Sequence, residues 1–141
     1  MERVNADDLD TEFTEGGSLI YTWDGRPFTG VAFELNRDGN LVNETSYVDG
    51  IEDGVKKNWY ANGQIKSISD IKWNRGHGNF THWHENGEKK YEGVSELGHV
   101  LKKKEWTQSG ELIDDYHIET DPEELDSLEV DRKTFKRYGL M

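Results

Sequence analysis

A chain of 141 residues is long enough for one domain of ordinary size and leaves little room for a second. Its formal net charge is −12 at pH 7, from 29 acidic and 17 basic residues. Such a chain repels nucleic acid and anionic lipid, so we expect neither as a direct partner and a basic protein as the natural complement. The absence of cysteine excludes disulfides and thiolate chemistry. No stretch resembles a membrane span or a secretory signal, which predicts residence in the cytoplasm.

The first residues form an acidic leader, residues 1–17, in which Asp7, Asp8 and Asp10 carry part of the excess charge. Two interpretations remain open: a segment that extends along a basic cleft of a partner, and a tail that only adds solubility. The apolar, aromatic stretch Leu19–Trp23 follows and predicts a strand that turns at the next Asp-Gly.

An internal repeat with a period of 24 residues occupies most of the chain. Two glycine columns obey the period: Gly30, Gly54 and Gly78, and Gly39, Gly63 and Gly87. The columns define a repeat domain over residues 18–118, with repeats at about 30–53, 54–77, 78–101 and a degraded 102–118. Two independent columns at one period indicate a repeat architecture.

Each repeat has the pattern of a β-hairpin, because an apolar residue stands on either side of a glycine-containing turn. The predicted cross-strand pairs are Leu35 with Leu41, Trp59 with Ile65, Trp83 with Lys89, and Trp106 with Leu112. Strict alternation places Tyr47 and Ile71 on the same face as these pairs, and the tryptophans are expected to form the core. The sequence therefore predicts an all-β antiparallel meander of stacked hairpins.

The last segment, residues 119–141, predicts a short C-terminal α-helix. Thr120 or Asp121 can cap its start, Pro122 suits its first turn, and Gly139 can end it. A frayed acidic tail is the competing interpretation.

The repeat, G-x(4)-W-[YH]-x-N-G-[QE]-[IK], resembles the MORN-variant repeats of the YwqK-type antitoxins. Residues Arg3-Val4, Asp7–Leu9 and Tyr21 to Val31 are similar to the leader of bacterial immunity proteins of that group. The resemblance covers roughly residues 3–116 and departs at Lys89 and Lys102 and in the tail. It implies a non-catalytic protein that binds and neutralises a toxin domain of a polymorphic toxin system. Many such toxins are basic nucleases or nucleobase deaminases, which an acidic protein can block.

Two candidate partner-binding regions follow. The first is a polar sheet face that combines aromatic and acidic side chains. Its residues are Glu44, Tyr60, Asp70, Phe80, His82, His84 and Glu92. The second is the leader, with Asp7, Asp8 and Asp10. We expect a monomer that forms a 1:1 complex with its toxin.

A metal site or an enzyme active site has less support in the sequence. His82 and His84 flank Trp83 and could contribute to a metal site, but no third ligand stands at a suitable spacing. The carboxylates belong to no motif with a nucleophile or a phosphate loop, so we expect no enzyme, no metal and no cofactor. The tryptophans could instead stack on sugars, which leaves a glycan-binding module as the alternative.

Overall fold

The computed structural model describes residues 2–140, which form two β-sheets and one α-helix. The strands are β1 (Glu2–Asn5), β2 (Asp10–Phe13), β3 (Leu19–Trp23), β4 (Arg26–Pro27), β5 (Gly30–Leu35), β6 (Leu41–Val48), β7 (Ile51–Trp59), β8 (Ile65–Lys72), β9 (Arg75–Trp83), β10 (Lys89–Glu96), β11 (His99–Trp106) and β12 (Leu112–His117). The helix, α1, spans Pro122–Arg137. Among residues 2–140, no helix combines the length and the apolar character needed to cross a membrane.

The large sheet has nine strands in the order β1-β5-β6-β7-β8-β9-β10-β11-β12. From β5 onward each strand is antiparallel to the next in sequence, so the predicted all-β hairpin meander with a C-terminal helix is confirmed. Two features were not predicted. Strand β1 pairs with β5 in parallel, and β2, β3 and β4 form a separate three-stranded sheet.

The acidic leader is therefore neither a free tail nor a segment extended into solvent. Strand β1 inserts Val4 beside Ala32 of β5, and β2 pairs with β3. Val4 and Ala32 join Phe28 in a buried cluster that Trp23 and Tyr47 also contact. Burial raises the pKa of Tyr47 to about 12, with smaller contributions from the charges of its neighbours. The small sheet thus covers the N-terminal end of the large one.

The strands are joined alternately by long loops and tight turns. At one end of the sheet, five-residue loops such as Asn36–Asn40 close with Asn36 N–H donating to the Asn40 carbonyl at 2.8 Å. At the other end, two-residue turns have positive φ at both residues, as in Asp49-Gly50 and Trp73-Asn74. Such turns match the twist of paired strands. Strands β7 and β9 begin directly after these turns, so successive hairpins are joined without long links.

One-residue bulges interrupt the pairing near the loops. The extra residues in the second strands of the hairpins are Val42, Lys66, Lys90 and Ile113. A bulge breaks the alternation of faces, so the residues after it change sides relative to the residues before it. The predicted placement of Tyr47 and Ile71 on the tryptophan side is therefore wrong.

The helix forms where the sequence predicts it. The Asp121 side chain caps its start by accepting the Glu124 N–H, Pro122 occupies its first turn, and Gly139 follows its end with φ 72°. Its Leu128 is fully buried with Leu97 and Ile118 in a second apolar cluster. This helix packs against the turn end of the last two hairpins.

Charged side chains also fasten the helix to the sheet. The guanidinium of Arg132 donates to both carboxylate oxygens of Glu96, at 2.6 and 2.8 Å. The His99 ring nitrogens lie 2.6 Å from Glu124 and 2.6 Å from Asp131. Burial alone would lower the pKa of His99, but the two carboxylates outweigh it and raise the pKa above its ordinary value. The hydrogen bond from His99 also lowers the pKa of Asp131.

These shifts predict that the helix contact weakens in alkali. A histidine with a raised folded-state pKa contributes its full stability below its unfolded pKa, about 6.5, and loses it as pH rises through the folded-state value. Asp131, with a lowered pKa, contributes above its ordinary pKa near 3.9 and loses that contribution as pH falls through the folded-state value. We expect about 1–2 kcal/mol less stability at pH 9 than at pH 6 from this cluster.

Urea denaturation of the wild type and of His99→Gln at both pH values measures this loss. His99→Gln should remove most of the difference, whereas His117→Gln, at an exposed histidine that pairs with Asp115 and not with the helix carboxylates, should preserve it. Equal pH dependence in wild type and His99→Gln would contradict the role given to this histidine.

Candidate partner-binding surface

The register of the large sheet assigns its side chains to two faces. Directly opposed residues of neighbouring strands share a face. One continuous row from β5 to β12 consists of Phe33, Glu44, Lys57, Ile68, Thr81, Glu92, Lys104 and Asp115. A parallel row on the other face consists of Ala32, Thr45, Lys56, Ser69, Phe80, Gly93, Lys103 and Tyr116.

The tryptophans of the repeat lie on the face of the first row. Trp59 is two residues from Lys57 along an unbulged stretch of β7, so the two side chains share a face. In the same way, Trp83 follows Thr81. Lys89, which stands opposite Trp83, forms an ion pair with Glu92 at 2.8 Å. This contact agrees with the placement of all three residues on one face. We call this side of the sheet the tryptophan face, and the other side the capped face.

All four predicted loop-end pairs are confirmed. Leu35 stands opposite Leu41, Trp59 opposite Ile65, Trp83 opposite Lys89, and Trp106 opposite Leu112. The prediction that this column is the core is wrong. Neither buried cluster among residues 2–140 includes a residue of the column.

The two faces of the large sheet differ in whether they carry buried side chains. The capped face carries the buried Val4, Ala32, Thr45 and Ser67, and the small sheet contacts one end of it. On the tryptophan face, the residues of the row and the three tryptophans are all partly buried or exposed. Leu35 and Leu112, which flank the column at its two ends, are 44% and 52% exposed. A column of apolar and aromatic side chains that the rest of the described chain leaves partly exposed is typical of an interaction surface.

The tryptophan face is regularly spaced and mixed in charge. Trp59, Trp83 and Trp106 stand on alternate strands, so their spacing is roughly 10 Å. Among them lie Glu44 and Glu92, which the sequence singled out. Glu44 forms an ion pair with Arg3, and Glu92 with Lys89. Large aromatic anchors surrounded by charged groups are the usual composition of a protein-binding surface.

Glu44 and Glu92 were predicted to lie opposite the tryptophans, together with Phe80 and His82. The register puts Phe80 and His82 there, on the capped face, but the two acids on the tryptophan face. His82 stacks on Tyr91 with ring centroids 4.4 Å apart, and Phe80 meets the edge of the same ring at 6.1 Å. Burial lowers the pKa of His82, and the charges of Lys66 and Lys90 lower it further. These rings line a concavity of about 410 Å³ over the middle of the capped face.

The remaining predicted residues hold the structure together. Tyr60 donates its hydroxyl to the Trp83 carbonyl at 2.7 Å, and the His84 Nε2 contacts the Trp106 carbonyl at 3.0 Å. Each thus ties one repeat to the next at the loop end. Asp70 accepts the Asn79 N–H at 3.0 Å.

The three leader carboxylates stay at the surface. Asp7 and Asp8 lie in a 3₁₀ turn, where the Asn5 side chain accepts the Asp7 N–H, and Asp10 begins β2. All three are exposed. Between residues 6 and 25 the chain carries six acidic residues and no lysine or arginine. A second acidic stretch without lysine or arginine runs over residues 105–131, so both ends of the molecule are acidic.

Within residues 2–140, no three His, Cys, Asp or Glu side chains are grouped to hold a metal ion.

Comparison with known proteins gives little guidance to function. No protein-family model matches the chain, and no curated protein does. Among solved structures it is similar to a chain in the structure of accessory secretory protein 1, 2 and 3 from Streptococcus pneumoniae. That similarity has 16% identity and a TM-score of 0.33, and covers 74% of this chain but 18% of the other.

Proposed function

We propose that this protein is an immunity protein that binds and neutralises a cognate bacterial toxin domain. The observation that carries the proposal is the tryptophan face. Three repeats each place one tryptophan on it, and none of these side chains is buried. A sheet built by repetition offers a broad area for a protein partner.

Charge supports a basic toxin as that partner. The net charge of −12, concentrated in part on the N-terminal sheet, favours fast association with a basic substrate groove. A nuclease or a nucleobase deaminase has such a groove, and a protein seated on it blocks the substrate. The inhibition is steric and electrostatic, without catalysis, cofactor or metal. The proposed complex is 1:1 and forms in the cytoplasm, without nucleic-acid or membrane contacts.

Co-expression tests this function. The chain is expressed with the toxin candidate encoded immediately upstream, and growth and co-purification are measured. Restored growth together with a stable complex is the expected outcome. Failure of both, with a protein whose circular dichroism shows a folded sheet, would contradict the proposal.

A glycan-binding module is the second candidate, because the structure leaves the tryptophan column accessible. Indoles at roughly 10 Å along a sheet could stack on successive sugars of an extended polysaccharide. A pull-down on insoluble cell-wall polysaccharide separates the two candidates. Retention that is lost in Trp83→Ala, without any toxin complex, would favour the glycan.

A further inference from the structure

Strand β12 leaves the nine-stranded sheet with a free edge. It is the last strand in the sheet order, and within residues 2–140 no strand pairs with its outer side. The strand has six residues, of which five are exposed. The opposite edge strand, β1, has only four. A free edge presents unpaired N–H and C=O groups to which an extended segment of another chain can add.

The side chains of this edge continue the tryptophan face. Leu112 stands opposite Trp106 and extends the aromatic column to the last strand. Ile113, the bulge residue, is 59% exposed. A partner seated on the tryptophan face would therefore reach the free edge without crossing another element of the described chain.

The charge of the edge selects the kind of strand that can pair there. Asp114 and Asp115 are consecutive in β12 and point to opposite faces of the sheet, and Glu111 precedes them in the loop. Contacts with Lys103 at 3.9 Å and His117 at 3.1 Å leave about half of each aspartate side chain exposed. Two copies of β12 paired with each other would bring like charges together, which is unfavourable. A strand that carries lysine or arginine has no such penalty.

We propose that a basic strand of the toxin domain adds to the outer edge of β12 and extends the large sheet by one strand. This inference rests on the proposed function and assigns part of the contact to backbone hydrogen bonds. The tryptophan face supplies the apolar anchors, and β12 fixes the orientation of the partner.

Amide hydrogen exchange and one edge variant test the pairing. The probe is the purified, catalytically inactivated toxin domain encoded upstream of this chain. In the complex, the outward amides of β12 should exchange at least about tenfold more slowly than in the free protein. Ile113→Lys places a positive charge against the basic strand and should raise the Kd about tenfold, which corresponds to about 1.4 kcal/mol.

Two variants control for other effects of the substitution. Ile113→Thr keeps a β-branched residue without the charge and should retain affinity within about threefold. Val130→Lys introduces the same positive charge at an exposed position of the helix and should leave the Kd unchanged.

The outcomes separate this inference from the function on which it rests. A tight complex with unprotected β12 amides and an unchanged Kd for Ile113→Lys would overturn the edge pairing and leave the immunity function standing. No complex with the folded wild-type protein would overturn both.

Discussion

Replacing Trp83 by alanine is expected to weaken toxin binding by about thirtyfold or more, while Phe80→Ala leaves the affinity nearly unchanged. Both residues are partly buried aromatics on β9, so their substitutions disturb the same strand. They differ in face: Trp83 lies on the tryptophan face and Phe80 on the capped face. A central tryptophan of an interface commonly contributes 2 kcal/mol or more when truncated, which gives the expected factor.

Isothermal titration of the toxin domain into each variant measures this difference. A thermal melt of each variant alone shows that it is folded before its affinity is compared. Loss of affinity in Phe80→Ala with retention in Trp83→Ala would place the partner on the capped face, over the concavity beside His82 and Tyr91.

Replacing Leu128 by alanine is expected to lower the free energy of unfolding by about 3 kcal/mol. The Leu128 side chain is fully buried between Leu97 and Ile118, and its removal leaves a cavity between the helix and the turn end of the sheet. Truncation of a buried leucine costs about 2–5 kcal/mol, from lost burial and the cavity together.

Urea denaturation measures this effect, and Val130→Ala is the matched control. Val130 stands on the same helix but is 63% exposed, so its truncation should change stability by no more than about 0.5 kcal/mol. A loss below about 1 kcal/mol for Leu128→Ala would show that the helix contributes little to the folded state.

The hairpins and the helix of this protein can be predicted from the sequence, because each depends on particular residue types at short spacing along the chain. The glycines of the loops, the flanking pair Trp59 and Ile65, and the capping Asp121 all stand at positions that turn or cap chemistry requires. The pairs and the helix are accordingly found where they were predicted.

The face of the sheet on which each side chain lies could not be predicted in this way. A bulge residue recurs in each hairpin, so Lys66 and Lys90 keep the 24-residue period and no length anomaly reveals them. Counting by two through such a residue puts every later side chain on the wrong face. Glu92 and Phe80 were assigned together for this reason, although the register separates them.

Contacts between residues far apart in the sequence could not be predicted either. Arg132 forms a bidentate ion pair with Glu96, a residue of the sheet 36 positions earlier, and nothing near either residue in the sequence indicates this partner. Likewise, no pattern in residues 1–17 indicates that Val4 enters the sheet as a parallel edge strand. Such pairings depend on tertiary contacts, which a single sequence does not display.

The most direct test of the tryptophan face is the indole N–H region of a two-dimensional proton–nitrogen spectrum, recorded while the toxin domain is added. The protein contains five tryptophans. Trp23 and Trp73 pack against the N-terminal cluster and the helix cluster, and serve as internal controls. The expected result is that the signals of Trp59, Trp83 and Trp106 shift on binding, whereas those of Trp23 and Trp73 stay in place. Binding that moves only the two control signals would contradict the assignment of the tryptophan face as the docking surface.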